Sequence, residues 1–386
     1  MTAAPAALAD DVRLESQYAY FIEGAGGEGG SQVIVQTPSA GLAVEPAAGL
    51  EVHAGWEADI VTGATEEVAD ILTGATEFSD QRHAFTGGMR YEHEQTRIGA
   101  EGVWGRELDY RTKALSVSAE ADVAERATTF SLGFAHNWDQ VCNQANPEET
   151  DPTQRQWLDT SEGCFKGGED RIVDPIAIDS MQAGWAQAWT PVLATQLVLS
   201  SQLIDGFQGN PYRAVRLAGA IAQEHLPDAR ARVSMTLRTN YFVRPLGGAI
   251  RLLLRAYRDT WDLESATGEI EYEQYIGSAF RVRGRGRYYR QTGAAFYSDD
   301  YRLEPRGEFF TGDRELSAFQ SWVVGGRLAL DLAADDEGEV LGFLENFEIM
   351  AKLDVIFYAY DEFTLAGQPV QDTRANVATI GLSAGF

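Results

Sequence analysis

Lysine is almost missing: Lys113, Lys166 and Lys352 are the only three in a chain of 386 residues. Basic charge rests on arginine, a bias that suits rigid guanidinium to carboxylate ladders, although GC-rich coding accounts for it as well. Even so, 58 acidic side chains outnumber 31 basic ones, for a formal charge of -27. Such a chain is repelled by phosphate backbones, which argues against a nucleic-acid partner. Long hydrophobic runs are also lacking. No segment approaches the roughly 20 apolar residues of a spanning helix, which removes a helical membrane protein. The five histidines, His53, His83, His93, His136 and His225, stand neither in metal-ligand spacing nor beside a serine nucleophile motif. Phosphate loop, dinucleotide fingerprint and haem-attachment cysteines are missing too, so no cofactor or metal is expected and the chain does not read as an enzyme.

Cysteine is confined to Cys142 and Cys164, in one polar stretch without histidine. In an exported chain this pair reads as a disulfide. Closing a loop of about 20 residues would contribute roughly 3 kcal/mol in the chain-entropy model.

What the chain has in abundance is alternation. Ala231, Val233, Met235, Leu237, Tyr241 and Val243 share one face of a strand, with Arg230, Arg232, Ser234, Thr236, Arg238 and Asn240 on the other. Leu50, Val52, Ala54, Trp56, Ala58 and Ile60 oppose Glu51, His53, Gly55, Glu57 and Asp59 in the same way. Period two marks a strand with one apolar and one wet face. About sixteen such segments start near residues 11, 32, 49, 82, 97, 114, 128, 178, 194, 229, 249, 267, 281, 316, 343 and 375. An even count of antiparallel strands of this length predicts a transmembrane up-and-down β-barrel.

The connections test that count, because outer-membrane barrels keep periplasmic turns short and outer loops long. With both termini in the periplasm, every long connection is external: 62–81, 139–177, 205–228, 293–315 and 361–374. The acidic run 335–339 is the longest of the inner turns. Trp189 and Tyr241 fall near inner strand ends, and Tyr18, Tyr20, Trp138 and Trp261 near outer ones, as aromatic girdles require. The duplicated Asp59-Ile60-Val61-Thr62-Gly63-Ala64-Thr65 and Asp70-Ile71-Leu72-Thr73-Gly74-Ala75-Thr76 read as two turns of one external loop. Residues 1–9, ending Ala7-Leu8-Ala9, have the small-x-small form of a signal-peptidase site and read as a signal remnant or Ala-rich tail. Residues 10–386 then form a single barrel domain. Its last segment, Ala378, Ile380, Leu382, Ala384 and Phe386, resembles the terminal strand that delivers such barrels to the assembly machinery, with Phe386 as insertion signal.

Several stretches resemble a family of Gram-negative outer-membrane barrels catalogued as a domain of unknown function. The most specific is Gly206-Phe207-Gln208-Gly209-Asn210-Pro211-Tyr212-Arg213, followed by Tyr257-Arg258-Asp259-Thr260-Trp261 and Arg287-Tyr288-Tyr289-Arg290-Gln291. The resemblance implies a barrel and an outer-membrane address, and the family has no established activity to carry over; outer-membrane lipid and lipopolysaccharide are the partners expected of such a barrel.

The polar faces place Arg230, Arg232, Arg238, Arg251, Arg255, Arg281, Arg283, Arg285 and Arg287 inside, with Glu269, Glu271 and Glu273 on the strand between. Glu57, Asp59, Glu92, Glu101, Glu120 and Asp122 line the third to sixth segments. In a closed ring the two sets lie opposite, so acid faces base across the lumen. The first expectation is a porin-like channel for small polar solutes or ions, the acid excess favouring cations; wall-supporting ladder pairs explain the same residues. A non-conducting scaffold for a periplasmic or surface export or electron-transfer assembly is the alternative. An outer-membrane enzyme comes third, with His53 and His136 as its candidates.

Overall fold

The structure, a computed structural model, describes residues 12–24, 32–63, 71–73, 78–144, 165, 171–211, 213–217, 220–299, 307–332, 346–361, 363–365, 368–369 and 373–386. In chain order the strands are β1 (Val12–Gly24), β2 (Gln32–Ala47), β3 (Leu50–Gly63), β4 (Ile71–Thr73), β5 (Phe78–His93), β6 (Thr96–Arg106) and β7 (Tyr110–Val123). They continue with β8 (Thr128–Gln144), β9 (Arg171–Thr190), β10 (Leu193–Gly206), β11 (Arg213–Leu217), β12 (Ala220–Gln223), β13 (Ala229–Val243) and β14 (Gly248–Asp259). The last are β15 (Glu264–Ile276), β16 (Phe280–Gln291), β17 (Phe319–Asp331), β18 (Asn346–Tyr360), β19 (Thr364–Leu365), β20 (Gln368–Pro369) and β21 (Thr373–Gly385).

Sixteen of these close into one antiparallel barrel, in the order β1-β2-β3-β5-β6-β7-β8-β9-β10-β13-β14-β15-β16-β17-β18-β21. Every segment read from alternation is a barrel strand, and sequence neighbours are spatial neighbours throughout. The seam joins β1 to β21, with Arg13 opposite Gly385 and Gly24 opposite Arg374. Two main-chain bonds finish it, Val12 N donating to the Phe386 carbonyl and Phe386 N to that of Val12. A closed ladder pairs the backbone polar groups and leaves no edge.

The apolar face turns outward. Leu132, Met181, Leu199, Val233, Leu254, Val324, Leu353 and Ile380 are exposed large hydrophobics, each on a different barrel strand. In a water-soluble fold these alternate residues would form the core; here they form a band around the outside. Trp189, Tyr241, Tyr18 and Trp138 are exposed on that surface as expected. Trp261 is not: at 4% exposure it sits in a loop cluster with Leu226, Leu263, Ala294 and Leu316.

The ends differ more. Strands run further outward than the alternation suggested, so the connection read as 139–177 has strand on both sides, to Gln144 and from Arg171. The duplicated heptad is not two turns. Asp59–Gly63 completes β3, whereas Ile71–Thr73 forms β4 and pairs with β11 in a separate three-stranded sheet, β12-β11-β4. Main-chain pairing of one external loop with another explains this, and local turn chemistry carries no signal of it. Residues 1–9, Cys164 and the acidic turn 335–339 lie outside the described residues. Cys142 is buried near the outer end of β8 and is not a free thiol.

Candidate functional site

The inward face of β13–β18 carries the arginines that the alternation placed there, built into a continuous ladder. Arg251 (β14) reaches Glu273 at 3.0 Å and Glu271 at 3.6 Å on β15, and Arg283 (β16) grips the same two carboxylates at 2.6 and 3.5 Å. Arg285 lies 3.6 Å from Glu269 and donates Nε and Nη2 to the two oxygens of Asp354, each at 2.8 Å. Lys352 joins Asp354 at 2.9 Å, and Arg281 and Arg327 converge on Glu348. Paired, bidentate charge of this kind is geometrically stiff.

The opposite wall is built alike. Arg82 pairs with Asp59 at 3.0 Å and Glu57 at 3.9 Å, and Arg97 with Glu120 and Asp122, both at 2.8 Å. Arg90 reaches Glu120 at 3.3 Å, and His53 Nε2 lies 3.0 Å from Glu101. Glu92 faces inward near the inner end of β5. The acidic face is therefore less bare than its sequence implied, because Arg82, Arg90 and Arg97 are interleaved on β5 and β6. Missed as partners, they were legible: each shares the parity of the inward acids on its own strand.

Several of these bonds span an intervening strand, and glycine makes the room. Gly88 sits between His53 and Glu101 in the register, and a β-carbon there would lie 2.7 Å from His53 Nε2. Gly325 sits between Arg285 and Asp354, where a β-carbon would overlap the Asp354 carboxylate. Glycine inside a strand weakens it unless something approaches closely; here a side-chain bridge passes over it.

Not every arginine is neutralised. Among the described residues Arg232, Arg238, Arg255 and Arg287 have no carboxylate within ion-pair distance. Arg232 donates to Gln202 Oε1 at 3.0 Å, Arg238 to Gln196 Oε1 at 3.2 Å and Arg255 to Ser234 Oγ at 3.5 Å. Arg230 differs again: it is buried, donates Nε to Asp259 at 2.9 Å and lies 3.8 Å over the Trp261 ring. It belongs to the loop base rather than to the lumen ladder, and Asp259 also accepts from Tyr257 Oη and from the main chain of Trp261 and Leu263.

Above the barrel the external connections form a structured cap. The run Gly206–Pro211, which carries the resemblance, is its latch: Gln208 donates to the Pro227 and Asp228 carbonyls, and Asn210 N to Glu224 Oε1 at 2.6 Å. Glu224, buried, accepts from Thr311 Oγ1 at 2.6 Å across 87 residues of chain. From the same 292–318 connection Arg314 reaches into the mouth and pairs with the inward Glu23 of β1 at 2.8 Å. Burial opposes the Arg314 charge, but the Glu23 bond outweighs it and its pKa stands above the usual arginine value.

The histidines give no catalytic grouping. His53 is a wall residue, and His136 turns outward to Asp179 at 2.8 Å with its ring against Trp138. Among the described residues no group of three or more His, Cys, Asp or Glu could hold a metal ion.

A family model described as "Protein of unknown function (DUF3570)" matches residues 70–349. No curated protein matches the sequence. A solved structure described as a bacterial polysaccharide outer membrane secretin is similar at TM-score 0.50 and 9% identity, covering 97% of each chain. Pseudomonas aeruginosa OccK2 (OpdF), solved with glucuronate, is similar at TM-score 0.44 and 7% identity over 98% of each chain. Such identities speak to the fold alone. The fold is that of an outer-membrane β-barrel, with lipid as the solvent of its outward apolar band.

Proposed function

Since the chain belongs to the family described as protein of unknown function (DUF3570), whose name carries no activity, we propose its role from the lumen: a porin-like channel for small polar solutes or ions in the outer membrane of a Gram-negative bacterium. The observation that carries this reading is a closed ring of sixteen strands whose inward face is charged and self-paired. Sixteen-strand barrels are wide enough for an aqueous path, and a wall of stiff ion pairs keeps that path polar. On this reading the partners are outer-membrane lipid and lipopolysaccharide around the band, and the barrel-assembly machinery that reads Phe386.

Planar-bilayer recording of the purified protein tests it. Stable, stepwise conductance is expected. A folded barrel that inserts and stays silent at all voltages refutes the channel and supports a scaffold, the reading favoured by the Arg314 to Glu23 contact across the mouth.

A further inference from the structure

The chain is strongly acidic, and its other lumen arginines are spent on carboxylates, so four that are not call for a counter-charge from elsewhere. Arg232 and Arg238 stand on β13, Arg255 on the adjacent β14 and Arg287 on β16. The registers bring them into one descending track: Arg232 is opposite Asp259, Arg255 opposite Thr236, and Arg238 is level with Leu253, Glu269 and Arg287 across β14, β15 and β16. Arg255 stands two inward positions, about 13 Å of strand, below Arg232, but its guanidinium reaches up to Ser234 Oγ, one inward position below Arg232, so both side chains point toward one solute.

The outer end of the track opens on a recess of about 540 Å³, the size of a small-molecule site. Beside Arg232 and Arg255 its wall is lined by hydroxyls, among them Ser118 of β7, Ser131 of β8, Ser200 of β10 and Ser234 of β13. The one carboxylate of the recess, Glu120, is already held by Arg90 and Arg97. Within this recess Arg232 Nε is buried and has no hydrogen-bond partner. A guanidinium edge that no protein acceptor uses, beside a hydroxyl-lined wall, suits a carboxylate, whose two oxygens match the fork while serine hydroxyls complete the shell.

We propose that this recess, with Arg232 and Arg255 as its principal cations, binds small organic carboxylates, and that Arg238 and Arg287 continue the track inward. The proposal deepens the channel reading by naming a solute class, and it reverses the cation preference that net charge alone suggested.

Binding is measured apart from conduction, by isothermal titration of the full-length protein in nonionic detergent, with succinate as probe and 1,4-butanediol as neutral control. Saturable succinate binding is expected, with none to the diol. Arg232→Gln/Arg255→Gln should weaken it at least about tenfold, whereas Arg126→Gln, in the β7–β8 turn, should leave it unchanged. Arg232→Lys/Arg255→Lys, which keeps the charge should the glutamine pair fail to fold, should still weaken binding by about threefold or more, since lysine lacks the fork. Absence of succinate binding, equal binding of the diol, or unaltered affinity in either double variant overturns the site. Binding by a silent barrel would refute the channel and leave the site standing; conductance without binding would do the reverse.

Discussion

Gly325→Ala offers the sharpest test of the wall. A single added methyl group would stand 2.9 Å from the Leu353 carbonyl oxygen and overlap the Asp354 carboxylate, so Asp354 must leave its place. With it go both 2.8 Å bonds from Arg285 and the 2.9 Å pair with Lys352. Disrupting a buried pair costs about 3–5 kcal/mol. Arg285 keeps Glu269 at 3.6 Å, and both cations border water, so about 2 kcal/mol is expected, a factor of roughly 30 in the folded-to-unfolded ratio. Gly284, on the next strand, supplies the control: a β-carbon there meets nothing within 4 Å. Gly284→Ala should lie within about 0.5 kcal/mol of the parent. Both variants gain equally from the stiffer unfolded chain, so the difference isolates the clash. Urea unfolding in lipid vesicles, followed by tryptophan fluorescence, reads both. In an Asp354→Ala background the cost of Gly325→Ala should shrink to the part that the 2.9 Å contact with the Leu353 carbonyl leaves. Equal stability of the two glycine variants would refute the view that strand glycines exist to let the bridges pass.

The cap makes a separate prediction: Glu224→Ala removes the acceptor shared by Asn210 N and Thr311 Oγ1, worth about 1–3 kcal/mol locally. Amide exchange at Asn210 should accelerate at least about fivefold while that of the barrel strands stays unchanged; uniform acceleration would show that cap and barrel unfold together. For the cysteines, maleimide should label the unfolded, unreduced protein at neither Cys142 nor Cys164 and at both after reduction. Labelling of Cys142 without reductant would exclude the cross-link.

The barrel was legible because each strand reports its own two faces: the parity of Arg232 or Glu271 along its strand fixes where it points, whatever its neighbours are. Pairing is another matter. Whether Arg285 meets Glu269 or also Asp354 depends on register across two strands and on a glycine between, none of which is local. The same limit applies to Trp261. Its position near a strand end suggested an interfacial girdle, but the loop after β14 folds it under Arg230, a contact set by tertiary packing. The run Gly206–Pro211 stood out as a motif, yet its partner Glu224 is legible only once the β10–β13 connection is seen to close on Thr311 of another loop.

The pairing of Val12 with Phe386 and of β1 with β21 has a kinetic meaning. Hairpins between sequence neighbours can zip as soon as they emerge, but the seam brings together residues hundreds of positions apart. The cylinder is therefore completed last, and until the two margins meet their unpaired main-chain groups have no partners in lipid. Long-range closure of this sort is slow, so the meeting of the two end strands sets the pace at which this cylinder forms.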